Sequence, residues 1–200
     1  MDGDINRKPT VVFQDRIDNA LRARPIDHLV ETLLPVEVRI DGEPFLVNVR
    51  VHYTNHCWTR TRKGEAEDTV LFCEHHRDRI DERIFCEQRW EFSKQLPGMI
   101  RSISHSLCLP GGSRELFYRV MADPKKGGNA GWYACIRLDA NRAQQEITLS
   151  IRSVHYRTTR PADIRGAPQR FWALFWDFYK DLRTKNSWVV AGETKKNPPA

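Results

Sequence analysis

The 200-residue sequence lacks the short patterns that identify the commonest enzyme classes. It contains no Gly-x-Ser-x-Gly, no phosphate-binding loop, no Gly-x-Gly-x-x-Gly and no His-Glu-x-x-His. Each of these patterns positions groups for one particular chemistry. The sequence therefore gives no support to a common serine hydrolase, a nucleotide-binding enzyme or a zinc protease of that type.

Long hydrophobic runs and paired cysteines are also missing. No apolar segment approaches the ~18 residues needed to cross a bilayer, and the residues from Met1 to Asp4 do not resemble a signal peptide. The five cysteines form no Cys-x-x-Cys pair, which argues against a secreted disulfide framework. We therefore expect a cytoplasmic protein with reduced thiols, no membrane contact and no cofactor.

Positive charge is concentrated at the C-terminal end of the chain. Residues 1–150 contain 22 Lys+Arg and 22 Asp+Glu, whereas residues 151–200 contain 10 and 4, so the last quarter carries the whole net charge of +6. Such a local excess favours an anionic partner, although a solvated basic edge with a loose tail fits it equally well.

The hydrophobic pattern predicts an α+β protein. We expect a largely antiparallel sheet of about six or seven strands, with helices at the N-terminus, in the middle and at the C-terminus. Apolar spacing over residues 11–34 predicts the N-terminal helices. Alternation on both sides of Asp41-Gly42 predicts a hairpin, because this dipeptide favours a tight turn.

Further elements follow along the chain. Those predicted are strands at 116–121, 132–138 and 146–156, a helix at 89–103 broken near Pro97, a loop at 108–112 and a last helix at 169–183. The expected organisation is a disordered N-terminus at 1–10, a single domain at 11–184 and a flexible basic tail at 185–200.

A second hairpin is predicted between Thr69 and Cys86. If its turn lies between Arg79 and Ile80, Cys73 and Cys86 face each other across the two strands as reduced thiols. A shift of one residue in the register removes this pairing.

Residues 52–76 hold four of the seven histidines and two of the five cysteines. We interpret this segment as the functional centre. A metal-independent ribonuclease needs a proton donor, a proton acceptor and a cation, and histidine suits both proton roles because it titrates near neutrality. The candidates are His52, His56 and His155, with Arg60 and Arg157 as cations. Surface or hydrogen-bonded structural histidines are the simpler alternative.

The same segment suggests a weaker zinc hypothesis. His56, Cys57, Cys73 and Cys86 would supply four ligands if both hairpins belonged to one sheet. The spacing matches no standard zinc motif, so we expect no metal and keep this set only as an alternative.

Basic residues outside the histidine segment suggest contacts with nucleic acid. Arginines near exposed aromatic rings suit single-stranded nucleic acid, because guanidinium groups bind phosphates and rings stack on bases. No known nucleic-acid-binding motif accompanies them. The candidate residues are Arg62, Lys125, Lys126, Arg152, Arg157, Arg160 and Arg165.

The C-terminal helix is unusually aromatic. Its apolar stripe at helical spacing is sufficient to pack on the sheet. Trp172, Trp176 and Tyr179 widen this stripe, and we expect them to be available for a protein partner.

The segment Asn55-His56-Cys57-Trp58-Thr59-Arg60, followed by Trp90 to Pro97 and by Cys108, resembles a group of short bacterial and mobile-element proteins without a known activity. The resemblance covers residues 35–160. It implies that Asn55, His56, Cys57, Thr59 and Arg60 form the common element of the group and that a phage or plasmid setting is plausible.

The leading hypothesis is a small cytoplasmic accessory protein that binds nucleic acid or a nucleoprotein, for example in conflict between a host and mobile elements. The alternatives are the metal-independent ribonuclease and a protein-binding module that works through the aromatic helix.

Overall fold

The structure, a computed structural model, describes residues 9–14, 20–112, 115–123, 125–141, 146–162, 164, 166–186 and 194–195. The strands are β1 (Thr10–Gln14), β2 (Leu21–Pro25), β3 (Thr32–Ile40), β4 (Glu43–Tyr53), β5 (Thr59–Thr61), β6 (Val70–His75), β7 (Ile80–Phe85), β8 (Leu107–Pro110), β9 (Glu115–Ala122), β10 (Gly131–Asn141), β11 (Glu146–Arg157), β12 (Gln169–Arg170) and β13 (Thr194–Lys195). The helices are α1 (Glu87–Ser93), α2 (Leu96–Ser102) and α3 (Phe171–Asn186).

The hairpin of β3 and β4 forms around Asp41 and Gly42, as predicted. Both residues have positive φ angles, 52° and 87°, which is the geometry of the tight turn that matches strand twist. The ladder runs from the Ile40–Glu43 pair to the Thr32–Val51 pair. Val47, Val49 and Val51 alternate inward and are fully buried.

The largest sheet has the strand order β12-β8-β9-β10-β11-β4-β13, and β3 also pairs with β4. Strands β4 and β11 are parallel, whereas the other described pairs are antiparallel. The mixed α+β architecture is confirmed, and so are the three strands predicted within residues 116–156. The sheet is not purely antiparallel, because β11 returns beside β4 in the same direction.

A bulge interrupts β11 where it passes β10. Ile136 pairs with Ile151, but the next residue, Cys135, pairs with Ser153, so Arg152 is the extra residue. An extra residue reverses the alternation of the strand. Ile151 and Val154 therefore both face the main core.

The main core lies between one face of this sheet and the helices. In α3, Phe171, Phe175 and Tyr179 are fully buried at helical spacing, and successive rings stack with centroids 6.0 and 6.3 Å apart. The broken middle helix and the C-terminal helix are as predicted, except that the break falls at Lys94 and Gln95, just before Pro97.

A second, three-stranded sheet of order β5-β7-β6 lies beside the large one, and β1 and β2 form a small sheet of their own. Phe13 of β1 stacks on Phe85 of β7 with centroids 3.9 Å apart. With Trp90 they form a separate small core. Helix α1 begins immediately after β7, so this sheet positions the start of α1.

The predicted N-terminal helices are wrong, because residues 10–14, 21–25 and 32–40 are strands. Val12 and Leu21 are 57% and 75% exposed, so the apolar residues here do not form one buried helical face. Pairing of β1 with β2 satisfies the backbone, and Phe13 is the residue that is buried.

The predicted pairing of Cys73 with Cys86 is also wrong. Cys73 pairs with Glu82, and Cys86 lies after the end of β7. The turn is centred two residues earlier than expected, since His75 pairs with Ile80. Cys108 lies in β8 rather than at the start of a loop, and the two hairpins belong to different sheets.

The predicted chain ends fall mostly outside the described residues. Residues 1–8 and most of 187–200 are not described, and the backbone of Thr194–Lys195 pairs with Leu46 and Phe45 of β4. Among the described residues, no helix combines the length and the hydrophobicity that crossing a membrane requires.

The β3–β4 turn gives a test of the fold. Gly42→Ala should lower the free energy of unfolding by about 1–2 kcal/mol, because a Cβ atom is strained at a positive φ angle. The matched control is Gly98→Ala in α2, where a Cβ meets nothing closer than 4.0 Å and alanine favours a helix. Urea denaturation measures both, and equal stabilities for the two variants would contradict the turn geometry.

Candidate functional site

A polar cavity of about 530 Å³ opens where the end of β4, the bulge of β11 and the end of β6 meet. We call it the cleft. Its lining includes Asn55, His56, Glu74, His76, Arg152 and Ser153. Asn55 and His56 follow β4, and Glu74 and His76 lie at the end of β6. Arg152 and Ser153 lie at the bulge of β11.

A short 3₁₀ turn, Asn55–Cys57, holds one wall of the cleft against β11. The Thr54 hydroxyl donates to the carbonyl oxygen of Arg152 at 2.6 Å, and the Cys57 thiol donates to that of Ile151 at 3.4 Å. Burial raises the pKa of Cys57 to about 12. Cys57 is therefore a protonated packing residue and not a nucleophile.

Glu74 accepts hydrogen bonds from both sides of this turn. Asn55 Nδ2 and His56 Nε2 each lie 2.8 Å from one of its carboxylate oxygens. Burial alone would raise the pKa of Glu74, but these hydrogen bonds outweigh it and the net pKa is lowered. Burial also lowers the pKa of His56, against the opposing effect of Glu74. The pair at neutral pH is a carboxylate and a neutral imidazole.

Two arginines lie behind the cleft. Arg83 is buried in β7, donates to the hydroxyls of Thr59 and Thr61 at 2.9 and 3.0 Å, and approaches Glu74 Oε2 at 3.7 Å. Arg89 in α1 donates to the backbone carbonyls of His56 and Thr59 at 3.2 and 2.6 Å.

Arg89 has an unusual third partner, Nδ1 of His155, at 2.8 Å. No carboxylate pairs with its guanidinium anywhere in the described residues. Burial lowers the pKa of Arg89, yet a guanidinium remains charged in proteins. Arg89 is thus a largely buried cation whose charge is solvated by neutral acceptors alone.

Arg89 determines the tautomer of His155. A guanidinium only donates, so Nδ1 of His155 must accept and its proton must be on Nε2. This Nε2–H then donates to the Ser153 hydroxyl oxygen at 2.9 Å. Burial, followed by the charge of Arg89, lowers the pKa of His155 to about 4. His155 therefore cannot act as a base toward Ser153.

These contacts form a chain of donors that ends at the cleft. Arg89 donates to His155, and His155 donates to Ser153, so the Ser153 hydroxyl proton is left to donate to a molecule in the cleft. Exposed Arg152 lies beside Ser153 and also pairs with Glu115 at 3.3 Å. A donor chain that starts at a buried cation suits the recognition of an anion.

The four predicted catalytic residues are only partly brought together. His56 and His155 both belong to the network around Arg89. His52 is exposed on β4, and the described residues give it no hydrogen bond or ion pair with the cleft. Arg60 pairs with Glu65 and holds the pKa of that carboxyl at about 2.

Four residues of the site were not predicted from the sequence: Glu74, Arg83, Arg89 and Ser153. The sequence does indicate Glu74, because this residue lies between Cys73 and the histidines His75 and His76, all of which are residue types common in functional sites. Arg83 gave no such sign, because a charged residue beside Ile84 in a strand is ordinarily the one that faces solvent. Nothing in the sequence distinguishes Arg89 from a surface residue of a helix.

The alternative zinc site is not formed. Cys57 is buried on Ile151, Cys73 is exposed on β6 and Cys86 lies before α1. His56 is bonded to Glu74 instead. Among the described residues, these four do not form a group of possible metal ligands.

The predicted nucleic-acid-binding residues fall into two groups. Arg62 pairs with Glu82, Arg152 pairs with Glu115, and Arg160 donates to the carbonyl oxygen of Gly166. Lys125, Lys126 and Arg157 are exposed, and Lys126 Nζ lies 5.2 Å from the centroid of the Tyr156 ring. Arg165 lies outside the described residues.

The aromatic edge expected on α3 is narrower than predicted. Trp172 is 51% exposed, whereas Tyr179 is fully buried. Tyr179 stacks on Trp176 and Phe175, and its hydroxyl accepts a hydrogen bond from Arg183. Tyr179 therefore belongs to the core, and only Trp172 and Trp176 are left for a partner.

The fold and the cleft together define a small α+β protein in which a mixed sheet carries a buried cation beneath a polar cavity. The model of the YjaZ family matches residues 20–179, and the chain belongs to this family. No curated protein and no solved structure matches the chain. The match supports the coarse resemblance to an uncharacterised bacterial family, while the motif from Asn55 to Arg60 stays a prediction.

The pKa of His155 makes stability depend on pH. Between the folded pKa of about 4 and the ordinary value of 6.5, the unfolded chain binds a proton that the folded protein does not. Unfolding is therefore favoured as pH falls through this range. From pH 7 to pH 4.5, wild type should lose roughly 2 kcal/mol more stability than His155→Gln.

Urea denaturation at the two pH values measures this difference. Glutamine keeps an acceptor for Arg89 and a donor for Ser153, so the variant should stay folded. The control is His75→Gln at an exposed position, which should behave as wild type. An identical loss of stability in wild type and His155→Gln would show that His155 is not held neutral by the fold.

Proposed function

We propose that this protein is a cytoplasmic accessory protein that binds nucleic acid and holds a phosphate group in the cleft. The observation that carries the proposal is the donor chain from Arg89 through His155 to the Ser153 hydroxyl. This series of hydrogen bonds leaves the proton of the Ser153 hydroxyl directed at the cleft, with the positive charge of Arg89 behind it. Phosphate is the anion that nucleic acid presents at regular intervals.

Electrostatics support an anion at this position. Arg89 lacks a carboxylate partner in the described structure, and its charge helps to depress the pKa of His155. Burial is the larger cause of this shift and disfavours a charge of either sign, but the part that comes from the Arg89 charge favours a negative charge nearby. The anion would also compensate a buried charge that the fold otherwise leaves to neutral groups.

The surroundings offer contacts for more than one phosphate. Beyond the bulge, Ser153, His155 and Arg157 alternate toward the same side of β11, and Arg157 is exposed. Gly131 pairs with Arg157, so the loop carrying Lys125 and Lys126 ends at the same edge. Tyr156 alternates with these residues and lies on the other face of β11, against Trp132, so its ring does not belong to this surface.

The metal-independent ribonuclease has less support from the geometry. Its two proton-transfer groups would be His56 and His155, but both have lowered pKa values. His155 donates from Nε2 to Ser153, and His56 donates from Nε2 to Glu74. A general acid at neutral pH needs a proton that is held near that pH.

A protein partner on α3 is a second candidate, favoured by one observation. Trp172 and Trp176 line a groove of about 710 Å³ together with residues of β3. A nucleoprotein would engage both this groove and the cleft. The mobile-element setting, and the shared role of Asn55, His56, Cys57, Thr59 and Arg60, also belong to the proposal.

Binding of a fluorescent 20-nucleotide RNA and of the equivalent DNA, measured by anisotropy over a range of salt concentrations, tests the proposal. Arg152→Ala should weaken binding and reduce the log–log salt slope by about 0.7, because one phosphate contact to a single strand is lost. Ser153→Ala should weaken binding by about tenfold at an unchanged slope, because it removes a hydrogen bond without a charge.

The matched control is Arg101→Ala, an exposed arginine of α2 that lies outside the lining of the cleft, which should bind almost as wild type. The proposal fails if neither RNA nor DNA binds. It also fails if the variants at positions 152 and 153 bind as tightly as the control.

A further inference from the structure

We infer that Glu74, His76 and Asp81 bind a divalent transition-metal ion at the mouth of the cleft. Their ligand atoms, one imidazole nitrogen and two carboxylate oxygens, all lie within 4.8 Å of one another. Metal–ligand bonds of about 2.0–2.2 Å require separations somewhat shorter than this. Small side-chain rotations are therefore enough to close the three ligands around one ion.

The backbone of the β6–β7 hairpin produces this grouping. Glu74 and Asp81 are cross-strand partners, so their side chains emerge side by side on one face. His76 directly follows the end of β6, and its imidazole Nε2 lies 3.3 Å from Asp81 Oδ2. Its backbone N–H donates to the carbonyl oxygen of Arg79 at 2.8 Å, which closes the turn. The ligands are presented from a paired, hydrogen-bonded element.

The ligand set selects the class of ion. Imidazole nitrogen favours zinc and its neighbours in the periodic table, while carboxylates also suit manganese. Two carboxylates neutralise the charge of a divalent ion. Three protein ligands leave coordination positions for water or substrate, and Glu74 and His76 both line the cleft.

Glu74 is oriented as metal-binding carboxylates usually are. Asn55 and His56 each donate to it at 2.8 Å, and such outer hydrogen bonds fix the orientation of a ligand. The side-chain oxygen of Asn55 is buried and has no hydrogen-bond partner in the described residues. Because the amide nitrogen of Asn55 is the atom that faces Glu74, this oxygen is not counted among the groups around the ion.

Two arginines compete with a cation here. Arg79 pairs with Asp81 at 3.2 Å, but its side chain is 71% exposed, and exposed pairs contribute little. Arg83 lies 3.7 Å from Glu74 and is held by Thr59 and Thr61. Arg79 can move into solvent when an ion binds, while Arg83 keeps its threonine partners.

Isothermal titration of the untagged, chelator-treated full chain with ZnCl₂ and with MnCl₂ tests this site without any nucleic acid. We expect one ion per chain. His76→Ala and Asp81→Asn should each weaken binding by at least about 100-fold, since replacement of outer-shell groups alone costs 10–100-fold. His75→Ala is the matched control, because exposed His75 lies on the opposite face of β6.

Absorption spectra with Co²⁺ provide a second measurement. The d–d bands of the bound ion should differ between wild type and the His76 variant, because the variant lacks the imidazole ligand. If circular dichroism shows that His76→Ala is unfolded, His76→Gln is used in its place. The inference is overturned if neither zinc nor manganese binds, or if both ligand variants bind as tightly as the His75 control.

Discussion

The rest of the structure depends on the solvation of the Arg89 guanidinium. A largely buried cation without a carboxylate needs acceptors in fixed positions. Arg89 donates hydrogen bonds to two backbone carbonyl oxygens in the segment after β4 and to the imidazole nitrogen of His155 in β11. Helix α1, the 3₁₀ turn and the large sheet are therefore tied together at one point. The tautomer of His155, and through it the direction of the Ser153 hydroxyl, follows from the same contact.

The sequence predicted those elements whose signal is local. The β3–β4 hairpin followed from Asp41-Gly42 between alternating residues, and α3 followed from apolar residues at helical spacing. The wrong prediction at residues 11–34 has a physical origin. This segment contains enough apolar residues at mixed spacing to suggest a helix. Contacts with β7 and α1 decide which of these residues are buried. Phe13 is buried because Phe85 lies beside it, and that neighbour is distant in sequence.

The site was predicted less completely than the fold. His56 and His155 stood out by residue type, while Arg89 and Ser153 did not, since arginine in a helix and serine in a strand are common at surfaces. The register of β11 explains much of this difference. A strict alternation would place Ser153 and His155 on the core face with Ile151, and the extra residue at Arg152 turns both of them to the other face. Local residue patterns do not reveal a bulge that depends on the neighbouring strand.

The parallel pairing of β4 with β11 determines when the cleft forms during synthesis. Thr54 and Arg152, which are bonded across it, are separated by 98 positions. At roughly 5–20 residues per second, the ribosome needs about 5–20 s to make the chain between them. During that interval β4 lacks its later neighbour, and an unpaired strand edge invites association with other chains. A chaperone that covers β4 in nascent chains would thus protect this strand until β11 has been made and the cleft can form.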